Sequence, residues 1–189
     1  MNVKSLFLGA VGAILLVACG GKTEQDPNSR ESLKANIKQM EDSIAKIVRD
    51  PQQAAKMPTL TSIELINRLT AYYHAFPKDE YAADCLFKVH IKYGELNAHE
   101  KAISYGDTLL KAFPKYKNRD FLLESLASTC DVLLDPRDTS KVRQYYTLLL
   151  KEPKVPAQKK AEVKARLRHL DMDFYEYINF QSQPTAKRK

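Results

Sequence analysis

Four histidines, three cysteines and one run of basic side chains are the groups in this 189-residue chain whose chemistry would matter most. The histidines are His74, His90, His99 and His169. None pairs with another histidine at i, i+4 and none neighbours a cysteine, so the ligand spacing of a zinc site is missing and no metal is expected. His90 and His99 face each other across an expected turn, and the plain reading is a pair of partly exposed helix or loop histidines. Cys85 and Cys130 fall in the middle of expected helices, where a thiol behaves as a small hydrophobe. An oxidising compartment would leave a disulfide between them open. Asp173 and Glu176 share a helical face beside Asp171. Solvated carboxylates are favoured there over the paired acids of a hydrolase. No Gly-x-Ser-x-Gly, Walker loop or Gly-x-Gly-x-x-Gly occurs, so no catalytic residue and no cofactor are expected.

The basic run comprises Lys151, Lys154, Lys159, Lys160, Lys164, Arg166 and Arg168, offset by Glu152 and Glu162. Two readings stand: contact with anionic lipid headgroups or an acidic partner, and a solubilising face on the last helix. The formal charge of +7 suits a chain near anionic surfaces without demanding nucleic acid, and no nucleic-acid partner is expected.

The third cysteine stands in a different setting. Residues 1–18 carry Lys4, an apolar run from Leu6 to Val17 and a small residue, Ala18. That is the layout of a secretory signal peptide, and the run is short for a mature membrane span. Leu16-Val17-Ala18-Cys19 resembles the lipobox of bacterial lipoproteins. The resemblance implies cleavage before Cys19, a diacylglyceryl group on its sulfur and attachment to a membrane through acyl chains. Gly20, rather than aspartate, follows the cysteine, which by the same resemblance implies the outer membrane. Lys22, Glu24 and Asp26 loosely resemble a charged export signal for the cell surface. Residues 19–29 have no apolar periodicity and read as a flexible tether.

The elements that must hold any site are helices. Leu, Ala, Lys and Glu are common, tryptophan is absent and glycine occurs six times, which disfavours barrels and sandwiches. Seven amphipathic segments are predicted. The first spans 30–49, with Leu33, Ile37, Met40, Ile44 and Ile47 on one stripe. The second opens on a Thr61/Glu64 capping box with Leu60 and Leu65 as its staple, and stops at Pro77. The third spans 79–93 with Gly94 as exit, and Asn97 and Glu100 open the fourth. The fifth spans 118–134 and is apolar on most sides, as a deeply buried helix would be. The sixth spans 139–151. The seventh starts at Pro156 and carries Val163, Leu167, Leu170, Phe174 and Tyr177 on one continuous stripe. Residues 179–189 are expected as a disordered basic tail.

Three of these helices end alike, at Pro77, Pro114 and Pro153, spaced 37 and 39 residues apart. Each interval holds two helices, and a helix pair of this size must stack on others to bury its apolar face. The pattern resembles the tetratricopeptide repeat, whose period is about 34 residues. In the middle unit Tyr93, Ala102 and Phe113-Pro114 match the repeat's aromatic, small and closing positions. Leu86 stands where tryptophan is usual, His90 where glycine is, and Gly106 where an aromatic is. The expected fold is therefore all-α: stacked antiparallel helix pairs across 30–178, as a degenerate tetratricopeptide-like superhelix with a C-terminal capping helix. A plain irregular bundle is the competing architecture.

The lipobox and the repeat together resemble the layout of the barrel-assembly and Tol–Pal coordinator lipoproteins of the bacterial envelope. The resemblance implies an envelope scaffold that holds another protein or peptide on a concave face. In the middle unit that face includes Asp84, Lys88 and Ile91. The alternative is a surface lipoprotein that binds a nutrient or glycan through Tyr72, Tyr73, Tyr145, Tyr146, Tyr175 and Tyr177.

Overall fold

The computed structural model describes residues 26–54 and 59–183, so Cys19, the expected signal segment and most of the expected tether lie outside the described residues. All regular structure in the described residues is helical: α1 (Arg30–Val48), α2 (Pro51–Ala54), α3 (Thr59–Ala75), α4 (Glu80–Glu95), α5 (His99–Ala112), α6 (Arg119–Ser128), a π-turn (Thr129–Leu133), α7 (Thr139–Lys151), α8 (Ala157–Arg168) and α9 (Phe174–Ser182). No helix of the described residues is long and apolar enough to cross a membrane.

Short connectors force each long helix back along its predecessor. The main packing pairs are α1 with α3, α3 with α4, α4 with α5, α6 with α7 and α7 with α8. Proline sets the ends. Pro77, Pro114 and Pro153 each follow directly or within two residues of a helix, where the ring cannot continue the hydrogen-bond ladder. The buried side chains form two clusters rather than one. Ile37, Ile44, Leu65, Leu69 and Tyr72 meet Ala82, Cys85 and Val89 in the first. Ala83 and Leu86 look the other way, into a second cluster with Leu109, Leu122, Leu126, Tyr145 and Leu149. Helix α4 is thus apolar on two faces, one for each neighbour. That sharing is how a stack of helix pairs buries what a single pair leaves exposed.

Several sequence expectations are corrected at the helix ends. Helix α3 is already helical at Thr59, so Thr61 is interior and forms no cap. Glu64 instead accepts from Arg68 Nε at 2.8 Å, and Leu60 is exposed. Gly94 lies inside α4, and the left-handed residue beyond it is Asn97 with φ 55°. Asn97 therefore terminates one helix instead of starting the next; Ala98 occupies the N-cap of α5 without a side-chain bond. The fifth predicted helix is α-helical only to Ser128 and then widens into the π-turn, and Phe121 on it is exposed.

The seventh predicted helix is two. Residues 169–173 break it, and Asp173 starts α9 with a full capping box, its carboxylate accepting from the Glu176 N–H while Glu176 accepts from the Asp173 N–H. An i+3, i+4 count cannot detect a break that preserves the phase of the stripe, and it read these two acids as a solvated pair. Helix α9 also continues through Asn179–Ser182, into the segment expected as tail.

The break has a physical cause in the π-turn. It places the Asp131 side chain at 0% exposure, and Arg166 of α8 meets it with two contacts of 2.7 Å, Nε to Oδ2 and Nη2 to Oδ1. Arg137 adds a third at 3.3 Å. The same two guanidinium groups donate to the carbonyls of His169, Leu170 and Met172, in the connector that follows α8. Arg166 also lies 4.9 Å from the centre of the Tyr177 ring on α9. Arg166 is therefore a buried strut between the π-turn, α8 and α9, and does not belong to an exposed basic face.

Candidate partner-binding groove

The turns that close the helix pairs share one edge of the molecule, and a groove runs along them. Its central hollow has a volume of about 680 Å³ between Lys34 of α1, Tyr81 and Asp84 of α4 and the turn from Phe113 to Lys117. A second hollow, about 570 Å³, shares Lys34, Asp79 and Glu80 with it and extends past Phe76 and Pro77 to Arg30. A third, about 290 Å³, shares Pro114 to Lys117 and extends to Pro153 and Lys154. Three hollows with common walls make a continuous furrow across successive helix pairs.

Local sequence explains the walls. Phe76-Pro77-Lys78 and Phe113-Pro114-Lys115 end α3 and α5 in the same way, so each turn sets an aromatic ring at the base and a lysine on the rim. Asp79 is the N-cap of α4 and accepts from the Tyr81 N–H at 2.8 Å. It also accepts from the Tyr72 hydroxyl and pairs with Arg30, each at 3.0 Å. Burial alone would raise the Asp79 carboxyl. The Tyr81 N–H, the Tyr72 hydroxyl and the charges of Lys34 and Arg30 outweigh burial and hold it below the usual carboxylate range. Asp84 accepts from the Tyr116 hydroxyl at 3.1 Å and from Lys117 Nζ at 2.9 Å. Burial, then the adjacent Asp84 charge, pushes the Tyr116 phenol up to about 12, so it is a neutral donor at any physiological pH.

The three residues expected on the partner face lie along α4 but have different surroundings. Asp84 lines the groove with both oxygens engaged. Lys88 is turned to α1, its Nζ 2.5 Å from Glu41 and 5.7 Å from the centre of the Tyr81 ring. Ile91 is exposed, about two helical turns beyond Asp84 and outside the hollow. Sequence reasoning missed Tyr81, Phe113, Tyr116 and Lys117. The repeated Phe-Pro-Lys turn, at Phe76 to Lys78 and Phe113 to Lys115, is the sequence signal that points to them.

The tyrosines proposed as a glycan platform are mostly unavailable. Tyr72, Tyr145 and Tyr177 are buried, Tyr73 and Tyr146 are partly buried, and Tyr175 alone of the six is fully exposed.

The other reactive side chains are structural. Cys85 and Cys130 sit in different core clusters and are not bonded to each other. Burial pushes each thiol up to about 12. Both are therefore expected to resist a thiol reagent at pH 8 in the native protein and to react at once in denaturant. Fast labelling of either native thiol would contradict the packing.

His90 is also buried, not partly exposed as expected. Its Nδ1 lies 2.8 Å from the Ala102 carbonyl and its Nε2 2.8 Å from the Ser125 hydroxyl. A carbonyl only accepts, so Nδ1 carries the proton and Nε2 accepts from Ser125. The ring joins α4, α5 and α6. Burial lowers its pKa, only partly opposed by the bond to Ala102. The folded state then binds fewer protons than the unfolded state. This contribution is complete above the unfolded pKa near 6.5 and is lost as pH falls below it. Stability is expected to drop by at most about 1.4 kcal/mol per pH unit from this group. His90→Gln should flatten that part of a urea-midpoint against pH curve, and an unchanged slope would exclude His90 as its source.

Among the described residues no group of three or more His, Cys, Asp or Glu could hold a metal ion. Comparisons with protein-family models, curated proteins and solved structures find no match to this chain.

Proposed function

We propose that this chain is a lipid-anchored envelope adaptor that holds a protein or peptide in the turn-edge furrow. The observation that carries the reading is the furrow itself. It is continuous over several helix pairs, and its walls combine aromatic surface (Tyr81, Phe113, Tyr116) with polar groups already fixed in place (Asp79, Asp84). Such walls suit an extended segment: apolar side chains enter the hollows and backbone polar groups meet the rim. Preset partners for Asp79 and Asp84 reduce the ordering cost of binding. The resemblance to tetratricopeptide repeats supports the same reading, since those arrays offer extended binding surfaces. Resemblance of Leu16 to Cys19 to a lipobox supplies the anchor and, with Gly20, the outer-membrane placement.

A photo-crosslinking amino acid at Lys115, on the rim, tests the adaptor role in living cells. A discrete adduct absent from a probe at Gln144 of α7 is expected. Equal or absent adducts at both positions would end the reading. Mass spectrometry of the purified protein tests the anchor separately, through a diacyl mass on Cys19. The nutrient- or glycan-binding alternative loses most of the tyrosines named for it, since Tyr175 alone of the six is exposed.

A further inference from the structure

We infer that the outer face of α8 is a docking surface for an anionic phospholipid bilayer. Between Arg137 and Arg168 the chain has ten lysines and arginines against three acids. Several of these cations are used internally: Arg166 and Arg137 on Asp131, and Lys159 on Glu124 and Glu162. What remains on α8 is Lys160, Lys164 and Arg168, at i, i+4 and i+8, a single stripe along the helix. Lys164 and Arg168 are exposed and Lys160 half-exposed, and none forms an ion pair among the described residues.

The stripe is unfavourable in isolation. Like charges at i, i+4 repel, and the first turn of α8 holds Lys159 and Lys160 with no acid, against the helix dipole. Some surface cations on other helices, like Lys159 on α8 itself, are compensated locally. Lys38 pairs with Asp42, Glu64 with Arg68 and Lys92 with Glu95, each within one turn. Cations without an ion pair among the described residues also occur elsewhere, at Lys46, Arg49, Lys78 and Lys101, but Lys160, Lys164 and Arg168 stand on consecutive turns of one helix, so their fields add toward one external anionic surface. Arg143 and Lys151 on α7, which packs against α8, are also exposed and without an ion-pair partner among the described residues. These side chains line none of the hollows described above, so the surface fits a plane of headgroups better than one small ligand. The inference takes the nearness of a bilayer from the anchored reading, but its charge argument does not depend on lipidation.

The test uses the mature form, residues 19–189, with Cys19→Ser, so that neither the apolar run from Leu6 to Val17 nor acyl chains mask headgroup preference. Vesicles of pure phosphatidylcholine are compared with vesicles holding roughly one third phosphatidylglycerol. Partition onto the anionic vesicles should be favoured and should weaken steeply in about 0.5 M salt. Each basic residue near an anionic surface strengthens partition roughly five-fold, so K160E/K164E/R168E should lower it by roughly a hundred-fold or more. K160A/K164A/R168A serves if the acidic variant unfolds. A control with the same charge change elsewhere, K46E/R49E/K101E, should keep most of the preference. Equal binding to both vesicle types, equal losses in the stripe and control variants, or stripe-dependent binding to a soluble polyanion but not to vesicles would each overturn the inference. A missing diacyl mass on Cys19 would defeat the anchor alone and leave this result standing.

Discussion

Replacing Asp131 by alanine is expected to cost about 3–5 kcal/mol of stability, the largest effect of any single polar substitution here. The side chain has no exposure, and both oxygens are occupied by guanidinium groups. Removing it strands the charge of Arg166, itself 5% exposed, in an interior that cannot solvate it. For a domain of this size the melting temperature should fall by roughly 10 °C. The loss should reach α9, because Arg166 also holds the carbonyls of His169 and Met172 and sits over Tyr177. Asp131→Leu combined with Arg166→Met should cost less than the two changes summed, since a buried ion pair adds little over a well-packed apolar replacement. Chemical unfolding of the four proteins measures this. An Asp131→Ala variant within about 1 kcal/mol of wild type would show that the network is not closed as described.

Two glycine substitutions should move stability in opposite directions. A Cβ on Gly106 would come within 2.7 Å of Leu126 Cδ2, a side chain fully buried in the larger core cluster. Gly106→Ala forces that core to shift and should cost about 1–3 kcal/mol, less the helix propensity that alanine brings. Gly94 has nothing within 4 Å of the same added atom and keeps a negative φ. Gly94→Ala should therefore stabilise by about 0.5 kcal/mol. Leu126→Ala should cost about 2–5 kcal/mol alone, but less in the Gly106→Ala background, because the overlap disappears with the Leu126 side chain. Destabilisation by Gly94→Ala equal to that by Gly106→Ala would mean that helix geometry, rather than contact between α5 and α6, sets both costs.

Gly106 also shows how a departure from a repeat pattern gains meaning in three dimensions. The resemblance puts an aromatic at that position and glycine at residue 90. Here the bulk is exchanged: His90 fills the space between α4, α5 and α6, and Gly106 makes room for Leu126. A linear pattern registers two mismatches; in the interior each has a packing reason, a bridging imidazole at one position and room for Leu126 at the other.

The chain's periodicity and composition by themselves determined that the described body is helical and that α7 spans Thr139–Lys151. Each of these follows from local causes: a 3.6-residue apolar period, proline stops and helix-favouring composition. Tertiary structure decided what local rules cannot weigh. The break between α8 and α9, the π-turn that buries Asp131 and the inward turn of Arg166 depend on partners 35 residues apart. Asp84, Lys88 and Ile91 share a stripe in sequence, yet Tyr116 and Lys117, brought in by the next turn, and Glu41 from α1 determine which of them meets a groove. Long-range charge pairing and shared walls arise only once helices are stacked, and no count along a single helix contains them.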